Sequence, residues 1–351
     1  MSDKIIEIAG RKIGKGQPAY IIAEMSANHN QSYDDAVQII KAAKDSGADA
    51  VKIQTYTCDT MTINCNSDSF MIKGDSPWAG RNFYELYQEA YTPWEWQPKL
   101  KKVADEIGIT LFSTPFDETA VDFLEEMNVP CYKIASFELI DIPLLEKVAS
   151  TGKPVIMSTG MGTLSEIEEA VKTLRNCGVK DILLLKCTSS YPAPPEEANL
   201  ATIIHMSEMF DLPVGLSDHT LGIAVPVAAV VMGAVAIEKH FTLSRKKEGP
   251  DSFFSIEPAE MKELVNSVRV AERSIGKVCY EPTAKEMDSR KFRRSLFAVK
   301  DIIMGERLTK ENIRSIRPAD GLPPKYLKHI LGKHASTNIA FGSPLSWDLI
   351  E

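Results

Sequence analysis

Gly-Leu-Ser-Asp-His-Thr (215–220) and Ile-Glu-Lys-His-Phe (237–241) are two short apolar segments that end in polar side chains. Each has the composition of a buried parallel strand and finishes near a histidine, His219 or His240. Neighbouring parallel strands end at the same edge of a sheet, so the two imidazoles are expected to converge. Two neutral imidazoles can bind a divalent metal ion. The alternative is that each histidine is hydrogen-bonded separately in a polar loop.

The same strand-and-helix pattern repeats along most of the chain. Amphipathic helical patterns such as 33–46 and 164–177 separate the apolar runs, a hairpin pattern at 4–13 precedes them, and a helical pattern at 258–275 follows the last. Eight such units in about 275 residues predict a TIM (β/α)8 barrel. A doubly wound open sheet is the alternative, although no GxGxxG fingerprint follows the first run. The predicted strands are 20–26, 50–55, 109–114, 131–136, 154–159, 181–188, 213–217 and 234–240.

Two segments depart from this repeat. Residues 57–92 form a long insertion that is rich in aromatic side chains, and a loop of this length predicts a lid or a substrate wall. Near the C-terminal end, Asp-Ile-Ile-Met-Gly-Glu-Arg-Leu-Thr (301–309) resembles Asn-Ile-Ala-Phe-Gly-Ser-Pro-Leu-Ser (338–346), which indicates a small second domain. The predicted boundaries are 1–277 for a catalytic barrel with its N-terminal hairpin, 278–294 for a polar linker and 295–351 for the second domain.

The composition limits the classes of function. The net charge of the 351 residues is −8 at pH 7, which argues against a protein that binds nucleic acid or a membrane surface. No apolar run reaches the roughly 18 residues of a membrane-spanning helix, and the first residues lack a signal-peptide core. The six cysteines contain no CxxC pair and indicate reduced thiols in a cytoplasmic protein. Cys131 and Cys187 lie within predicted strands and are interpreted as buried apolar residues.

Polar side chains end nearly every predicted strand, where the chemistry of a TIM barrel takes place. Lys52 and Lys133 lie within apolar runs, and a buried lysine is costly unless an anion meets it. Together with hydroxyl groups at several strand ends, they predict a cradle for a small anion that bears phosphate and carboxylate. Each lysine could instead pair with a carboxylate of the barrel, as Lys52 could with Glu24. Glu24 and the two histidines offer metal coordination or acid–base chemistry.

A series of motifs, in order along the chain, resembles the sialic acid synthase family. They include Ile-Ala-Glu-Met-Ser-Ala-Asn-His-Asn (22–30), Val-Lys-Ile-Gln-Thr-Tyr-Thr (51–57), Lys-Cys-Thr-Ser-Ser-Tyr-Pro (186–192) and the two histidine motifs. Ser-Ile-Arg-Pro-Ala-Asp-Gly-Leu (315–322) extends the likeness to the C-terminal end. The resemblance implies a TIM barrel followed by a small antifreeze-like (SAF, β-clip) domain. One departure is Ser189, which stands where sialic acid synthases tend to carry asparagine.

The resemblance also implies a reaction, the condensation of phosphoenolpyruvate with an N-acylated amino sugar and the release of phosphate. His219 and His240 would bind a divalent metal, with Mn2+ expected and Mg2+ or Co2+ as alternatives, and Glu24 would stabilise positive charge or position water. Binding roles are implied as follows: the carboxylate of phosphoenolpyruvate at Lys52, Thr114 and Lys133, its phosphate at Ser136, Ser158, Ser189 and Ser217, and the sugar at Gln54, Glu138, Tyr191, Asp251 and Arg317. Arg317 would reach the barrel of a partner chain in a domain-swapped homodimer.

The identity of the sugar is a narrower question. Gln-Thr-Tyr-Thr (54–57) and the segment 78–96 most resemble the family members that use 2,4-diacetamido-2,4,6-trideoxy-L-altrose. Members that make N-acetylneuraminic or legionaminic acid share the core motifs and are the alternatives. Outside the family, a metal-dependent pyruvate aldolase would share the barrel, metal and lysines but release no phosphate. A sugar-phosphate-binding protein without activity would bind phosphoenolpyruvate and not consume it.

Overall fold

A closed barrel of eight parallel strands forms the core of the first of two compact units, residues 1–276 and 277–351, in this computed structural model. The structure describes residues 2–74 and 77–351. Each barrel strand pairs with its neighbours in chain order, and the last pairs with the first, so the predicted TIM barrel is confirmed and the open sheet is wrong. The hairpin is β1 (Ile5–Ile8) and β2 (Arg11–Gly14), and the barrel strands are β3 (Tyr20–Glu24), β4 (Ala50–Thr55), β5 (Thr110–Pro115), β6 (Tyr132–Ile134), β7 (Val155–Ser158), β8 (Ile182–Cys187), β9 (Val214–Asp218) and β10 (Ala236–His240).

Helices connect the strands, and several of them begin at a side chain that caps the helix. At Thr163, for example, the hydroxyl accepts a hydrogen bond from the Glu166 backbone N–H, and the Glu166 carboxylate accepts one from the Thr163 N–H. The helical patterns predicted at 33–46, 164–177 and 258–275 match α1, α7 and α10 to within one residue. The helices of this unit are α1 (Tyr33–Asp45), α2 (Cys58–Met61), α3 (Phe83–Ala90), α4 (Gln97–Ile107), α5 (Glu118–Glu126), α6 (Ile142–Ala149), α7 (Leu164–Asn176), α8 (Ala201–Phe210), α9 (Ala224–Val231) and α10 (Pro258–Ile275).

Alternation along the strands sorts their side chains into two cores. In β3, Ile21 and Ala23 belong to the outer core between strands and helices, whereas Tyr20 and Ile22 belong to the inner core within the barrel. The hairpin adds side chains such as Ile8 to the inner core. The next inward-facing position of a strand, towards its carboxyl end, is often polar, as at Glu24. Polar groups therefore collect at that end of the barrel.

The insertion after β4 contains the short helices α2 and α3. Two of its residues, Asp75 and Ser76, lie outside the described part of the chain. No helix in the described residues has the length and apolar character needed to cross a membrane.

The C-terminal unit brings its two similar segments together. Ile302 and Ile339, at equivalent places in the repeated pattern, exchange two backbone hydrogen bonds of 2.8 Å. Asp301 Oδ1 accepts from the Phe341 N–H and Asn338 Oδ1 accepts from the Met304 N–H, each at 2.7 Å. The two segments are therefore related by a local two-fold axis. The regular elements of this unit are α11 (Ala284–Ser289), inside the segment predicted as a linker, β11 (Ser295–Ala298), β12 (Ile313–Ile316) and α12 (Leu327–Ile330).

Gly215 in β9 gives a test of how tightly the barrel closes. A Cβ at this position would lie 2.5 Å from the Ala236 carbonyl oxygen of β10 and 2.7 Å from Leu185 Cδ2. Because the first of these atoms belongs to the backbone of the neighbouring strand, we expect Gly215→Ala to lower the free energy of unfolding by about 2 kcal/mol or more. Denaturant titration followed by circular dichroism would measure the change.

Gly152→Ala is the matched control for that substitution. Gly152 has a φ of +69°, and no described atom lies within 4 Å of a Cβ built there, so alanine adds only the cost of the left-handed backbone, about 1 kcal/mol. Equal losses for the two variants would contradict the steric account of the barrel contact.

Candidate active site

A cavity of about 530 Å³ opens at the carboxyl ends of the barrel strands. Strand ends and loops that are far apart in the sequence supply its lining, as expected for the functional end of a TIM barrel. The sequence-predicted residues on its wall are Glu24, Lys52, Gln54, Lys133, Ser136, Glu138, Ser158, Tyr191, Ser217, His219, His240 and Asp251.

Three of the predicted residues are placed differently. Thr114 is fully buried in β5, and its Oγ1 has no hydrogen-bond partner among the described residues. Ser189 lies beside the wall, with its Oγ 3.7 Å from Cys187 Sγ. Arg317 is exposed in the C-terminal unit, and its reach into a partner's barrel stays a prediction.

Two lysines and two carboxylates are buried together at the base of the cavity. Lys52 Nζ lies 3.2 Å from Glu24 Oε2 and 3.0 Å from Glu238 Oε1. Lys133 Nζ lies 3.7 Å from the same Glu238 oxygen and donates to Ser158 Oγ at 2.6 Å. The pairing of Lys52 with Glu24, considered from the sequence, is therefore present. It leaves Lys133 with its one carboxylate contact at the edge of ion-pair distance.

Burial sets the ionisation of this cluster. It lowers the pKa of Lys133 to about 8, although the Glu238 carboxylate acts in the opposite direction. Burial also acts to lower the pKa of Lys52, but the carboxylates of Glu238 and Glu24 outweigh it and the pKa is raised. Burial raises the pKa of Glu24 to about 7. A bound anion would favour the charged form of Lys133, so anion binding and protonation of this lysine support each other.

The two predicted metal ligands face each other, with ring centroids 5.3 Å apart. His219 Nδ1 lies 2.9 Å from the Thr188 carbonyl oxygen, which assigns the proton to Nδ1 and leaves a lone pair on Nε2. His240 Nδ1 is buried without a hydrogen-bond partner among the described residues, and burial lowers the pKa of His240 well below its usual value. Two imidazoles that each have a ring nitrogen available as a ligand fit a divalent metal ion.

The two histidines are not part of a larger cluster of metal-binding side chains in the part of the chain that the structure describes. Within residues 2–74 and 77–351, no group of three or more His, Cys, Asp or Glu side chains is arranged to hold a metal ion. A site with two protein ligands has coordination positions open for water and substrate.

A second buried ion pair fixes the strands that carry the histidines. Lys239 Nζ lies 2.5 Å from Asp218 Oδ2 and donates to the Thr220 carbonyl oxygen at 2.6 Å. Asp218 Oδ1 accepts from the Thr220 N–H at 3.0 Å and from its hydroxyl at 2.8 Å. Asp218 and Lys239 each precede one of the histidines, and both are almost fully buried. The pair ties the ends of β9 and β10 together and so holds His219 and His240 at a fixed spacing.

Gly160 allows the hydroxyl groups to gather. Its backbone N–H donates to Ser136 Oγ at 3.1 Å, and a Cβ at this position would lie 2.2 Å from Ser189 Oγ and 2.7 Å from Ser136 Oγ. Only glycine lets the loops after β6, β7 and β8 approach this closely. Together with Ser158 beside Lys133, these groups provide the hydroxyl, amide and ammonium donors that a phosphate requires.

Aromatic side chains cover the opposite side of the cavity. The Tyr56 ring contacts Phe116 and Tyr87, with centroids 5.2 and 5.8 Å apart. Trp78 lies 5.8 Å from the Tyr191 ring, and its Nε1 donates to the Pro250 carbonyl oxygen at 3.1 Å. The insertion predicted as a lid or substrate wall thus lines the cavity in its described part, through Met61, Ile72, Trp78, Phe83, Leu86, Tyr87 and Ala90.

Sequence reasoning left several cavity residues without a role in the site. Cys187 is buried, as predicted, but it is not a simple apolar residue, because its Sγ lies on the cavity wall 3.8 Å from His219 Nδ1. Glu238 completes the buried charge cluster. The inward position of Cys187 could have been found from the two-residue period, since 187 follows the inner-core Leu185 by two. The sequence did place Glu238 among the polar residues at the end of its strand, but not in a charge cluster with the lysines. Ser26 also lines the cavity. It ended the predicted strand 20–26, in the two-residue period of Tyr20, Ile22 and Glu24, but β3 ends at Glu24 and sequence reasoning assigned Ser26 no role.

Comparison with known proteins supports the resemblance over nearly the whole chain. A family model described as the NeuB family matches residues 39–280, and one described as the SAF domain matches 293–351. Pseudaminic acid synthase of Helicobacter pylori is 45% identical over 95% of this chain and 98% of that protein. N,N'-diacetyllegionaminic acid synthase of Legionella pneumophila is 39% identical over 96% of each.

A solved structure agrees with these sequence matches. The crystal structure of N-acetylneuraminic acid (sialic acid) synthetase from Leptospira borgpetersenii, in complex with citrate, is 33% identical. It superposes with a TM-score of 0.73 and covers 82% of this chain and 95% of that chain. The predicted resemblance and the predicted barrel with a C-terminal SAF domain are therefore confirmed. The chain belongs to the NeuB family, the sialic acid synthase family that its motifs indicated.

Proposed function

We propose that this protein makes pseudaminic acid by condensing phosphoenolpyruvate with 2,4-diacetamido-2,4,6-trideoxy-L-altrose and releasing phosphate. One observation carries the proposal. The two buried lysines, the gathered hydroxyl groups and the paired histidines lie around one cavity that aromatic side chains cover. An anion and a carbonyl compound bound there would be held side by side away from bulk water. The likeness to a pseudaminic acid synthase supports this choice of sugar over the legionaminic and neuraminic precursors.

Phosphoenolpyruvate would bind at the base of the cavity. Its carboxylate would meet Lys52 and Lys133, and the unpartnered buried hydroxyl of Thr114 offers a further donor. Its phosphate would lie among the four serines of the cradle, Ser136, Ser158, Ser189 and Ser217. Lys133 lies between the two groups, because it already donates to Ser158. In this position the lysines neutralise the anion and fix the orientation of its double bond.

His219 and His240 would hold the divalent metal, and Mn2+ is our choice. Such an ion, when bound, supplies Lewis-acid polarisation of the aldehyde oxygen of the open-chain sugar. The protein contributes the neutral state of His240, the spacing of the two imidazoles and the Asp218–Lys239 pair that holds the two strand ends together.

The proposed reaction forms one carbon–carbon bond and, at C2, replaces the carbon–oxygen bond to phosphate with one to the oxygen of water. C3 of phosphoenolpyruvate attacks the aldehyde carbon, whose oxygen becomes a hydroxyl, and positive charge develops at C2. Glu24, held by Gln54 Nε2 at 3.0 Å and by Lys52, is placed to stabilise this charge or to position the water that adds at C2. The resulting tetrahedral intermediate collapses to the keto acid and expels phosphate, which the cradle binds.

The sugar would occupy the outer part of the cavity. Gln54, Glu138, Tyr191 and Asp251 offer polar contacts there, and the aromatic wall offers apolar surface for the acetamido methyl groups and the 6-methyl group. A 6-deoxy sugar matches such a wall better than one with a terminal hydroxyl, because a buried hydroxyl without a partner is costly.

We further propose that Arg317 reaches the N-acyl sugar in the barrel of a second copy, so that the working form is a domain-swapped homodimer. The exposed position of Arg317 supports the proposal, because its guanidinium is available to a partner. A cytoplasmic location is proposed as well and accords with six cysteines that are all free.

Substrate choice is the first test. With Mn2+ and phosphoenolpyruvate, we expect phosphate release with the diacetamido-trideoxy-altrose at a kcat/KM at least about tenfold above that with N-acetylmannosamine, since the wall discriminates a methyl group from a hydroxymethyl group. A preference for N-acetylmannosamine would retain the chemistry and overturn the sugar assignment. Consumption of pyruvate without phosphate release would indicate an aldolase instead.

The metal role is tested with His240→Ala. We expect this variant to lose more than about 100-fold in Mn2+-dependent kcat/KM and to bind Mn2+ more weakly in a titration of the free protein. The loss should exceed the one that is usual for a residue that only hydrogen-bonds to a metal ligand, because His240 is proposed to bind the metal directly. His205→Ala, at an exposed position of α8, is the control and should behave as the parent. Full activity of the parent in metal-free buffer would contradict the assignment.

Glu138 gives a prediction about pH. Its Oε2 is buried without a hydrogen-bond partner among the described residues, and burial raises its pKa to about 7. The unfolded chain loses this proton near pH 4.5, so the carboxyl destabilises the folded protein increasingly from pH 4.5 to 7. Glu138→Gln should therefore gain about 2 kcal/mol in unfolding free energy, relative to the parent, between pH 5 and pH 8.

Denaturant titrations of both proteins at the two pH values measure that gain. Glu126→Gln, at an exposed position of α5, is the control and should show no such trend. A constant difference between Glu138→Gln and the parent at pH 5 and pH 8 would show that the carboxyl ionises normally.

A further inference from the structure

We propose that Ser26 is a positioning residue for the sugar, because it holds the Asp251 carboxylate in the cavity and joins it to Gln54 and Glu24. The inference rests on the proposed function, since it assigns a role within the sugar half of the same cavity. Ser26 and Asp251 both line the cavity, and they come from opposite ends of the barrel sequence.

The backbone of Ser26 is the first observation. Ser26 lies two residues beyond the end of β3 and has a φ of +47°, in the left-handed region that glycine adopts freely and serine does not. The residue is also buried, with 3% of its surface exposed. Backbone strain of this kind clusters at functional sites, which indicates that the serine side chain has a function that glycine could not provide.

The hydrogen bonds of Ser26 show what that side chain does. Ser26 Oγ accepts from Gln54 Nε2 at 3.1 Å, and the same nitrogen donates to Glu24 Oε1 at 3.0 Å. An amide nitrogen cannot accept, so the single proton of the serine hydroxyl is directed to Asp251 Oδ2, with which it forms a short hydrogen bond. The direction of every bond from Glu24 to Asp251 is therefore fixed.

Asp251 lies in the loop between β10 and α10, beside the carbonyl of Pro250 that accepts from Trp78. Its Oδ2 takes the Ser26 hydroxyl and, at 3.4 Å, the Ala27 N–H. Both donors reach Oδ2, so Oδ1 is the oxygen that can accept from an acetamido N–H or a hydroxyl of the sugar. Burial raises the pKa of Asp251, and the Ser26 hydrogen bond acts against this rise, so Ser26 also helps to keep the carboxylate ionised.

Two substitutions separate the hydroxyl from the backbone strain. Ser26→Ala removes the hydroxyl and keeps the left-handed strain, whereas Ser26→Gly removes both. We expect both variants to raise the KM for the sugar by about tenfold, as for the loss of a hydrogen bond to a charged group, and to leave the KM for phosphoenolpyruvate within about twofold. Ser26→Gly should unfold at a higher denaturant concentration than Ser26→Ala. Because the Ser26 hydrogen bond helps to keep Asp251 ionised, the acidic limb of the pH profile of kcat/KM for the sugar should move to higher pH in Ser26→Ala.

Asn128→Gly is the matched control. Asn128 also has a positive φ, +51°, but it follows α5 and precedes β6, at the amino-terminal end of the barrel. Glycine there relieves the same kind of backbone strain away from the cavity, so both KM values should equal those of the parent.

The outcomes distinguish this inference from the proposed reaction. If the parent is active and Ser26→Ala has an unchanged KM for the sugar, the inference is wrong and the reaction stands. Equal rises in both KM values would also overturn it, because they indicate a general disturbance of the cavity. A parent that releases no phosphate with any of the amino sugars would overturn the reaction and this inference together.

Discussion

The buried charge cluster of Lys52, Lys133, Glu24 and Glu238 is the constraint on which the rest of the site depends. Four ionisable groups removed from water destabilise a protein unless each is paired and hydrogen-bonded. Glu238 meets this requirement by facing both lysines, and Ser158 satisfies Lys133 further. The cluster needs the rigid spacing of barrel strands, because a shift of one residue would turn each group towards the helices. A site for a small polyanion follows from the same arrangement.

The strand ends around this cluster are more tightly constrained than the segments that connect the strands. The ends of β9 and β10 are held together, because Asp218 and Lys239 occupy paired positions of the two strands and form a buried ion pair. Much of the aromatic wall comes from the 57–92 insertion, whereas its members Tyr56, Phe116 and Tyr191 lie beyond the ends of β4, β5 and β8. The groups proposed for bond making thus lie at strand ends, and much of the apolar surface offered to the sugar lies in a connecting segment. The second can change among relatives that act on different sugars without disturbing the first.

The sequence predicted the barrel because its strands are long, regular apolar runs and its helices have clear periods, as at α1, α7 and α10. The polar strand ends were predicted by the same periodicity, and the family motifs assigned their roles. Two kinds of contact were not predictable. Ser26 acts through a backbone angle that no period encodes, and the partnership of Asp218 with Lys239 joins residues 21 apart that become neighbours only through strand register. Cys187 was interpreted as an apolar residue because its sequence neighbours are apolar, although the two-residue period of its strand places its side chain inside the barrel.

The local two-fold axis of the C-terminal unit has a consequence of another kind. Segments that exchange equivalent hydrogen bonds, as those around Ile302 and Ile339 do, have the geometry of an interface between identical molecules. Here both halves belong to one chain, so their association is intramolecular and proceeds at an effective concentration set by the connecting residues, independent of dilution. A pairing that would be weak between separate peptides can therefore serve as the permanent centre of a domain this small.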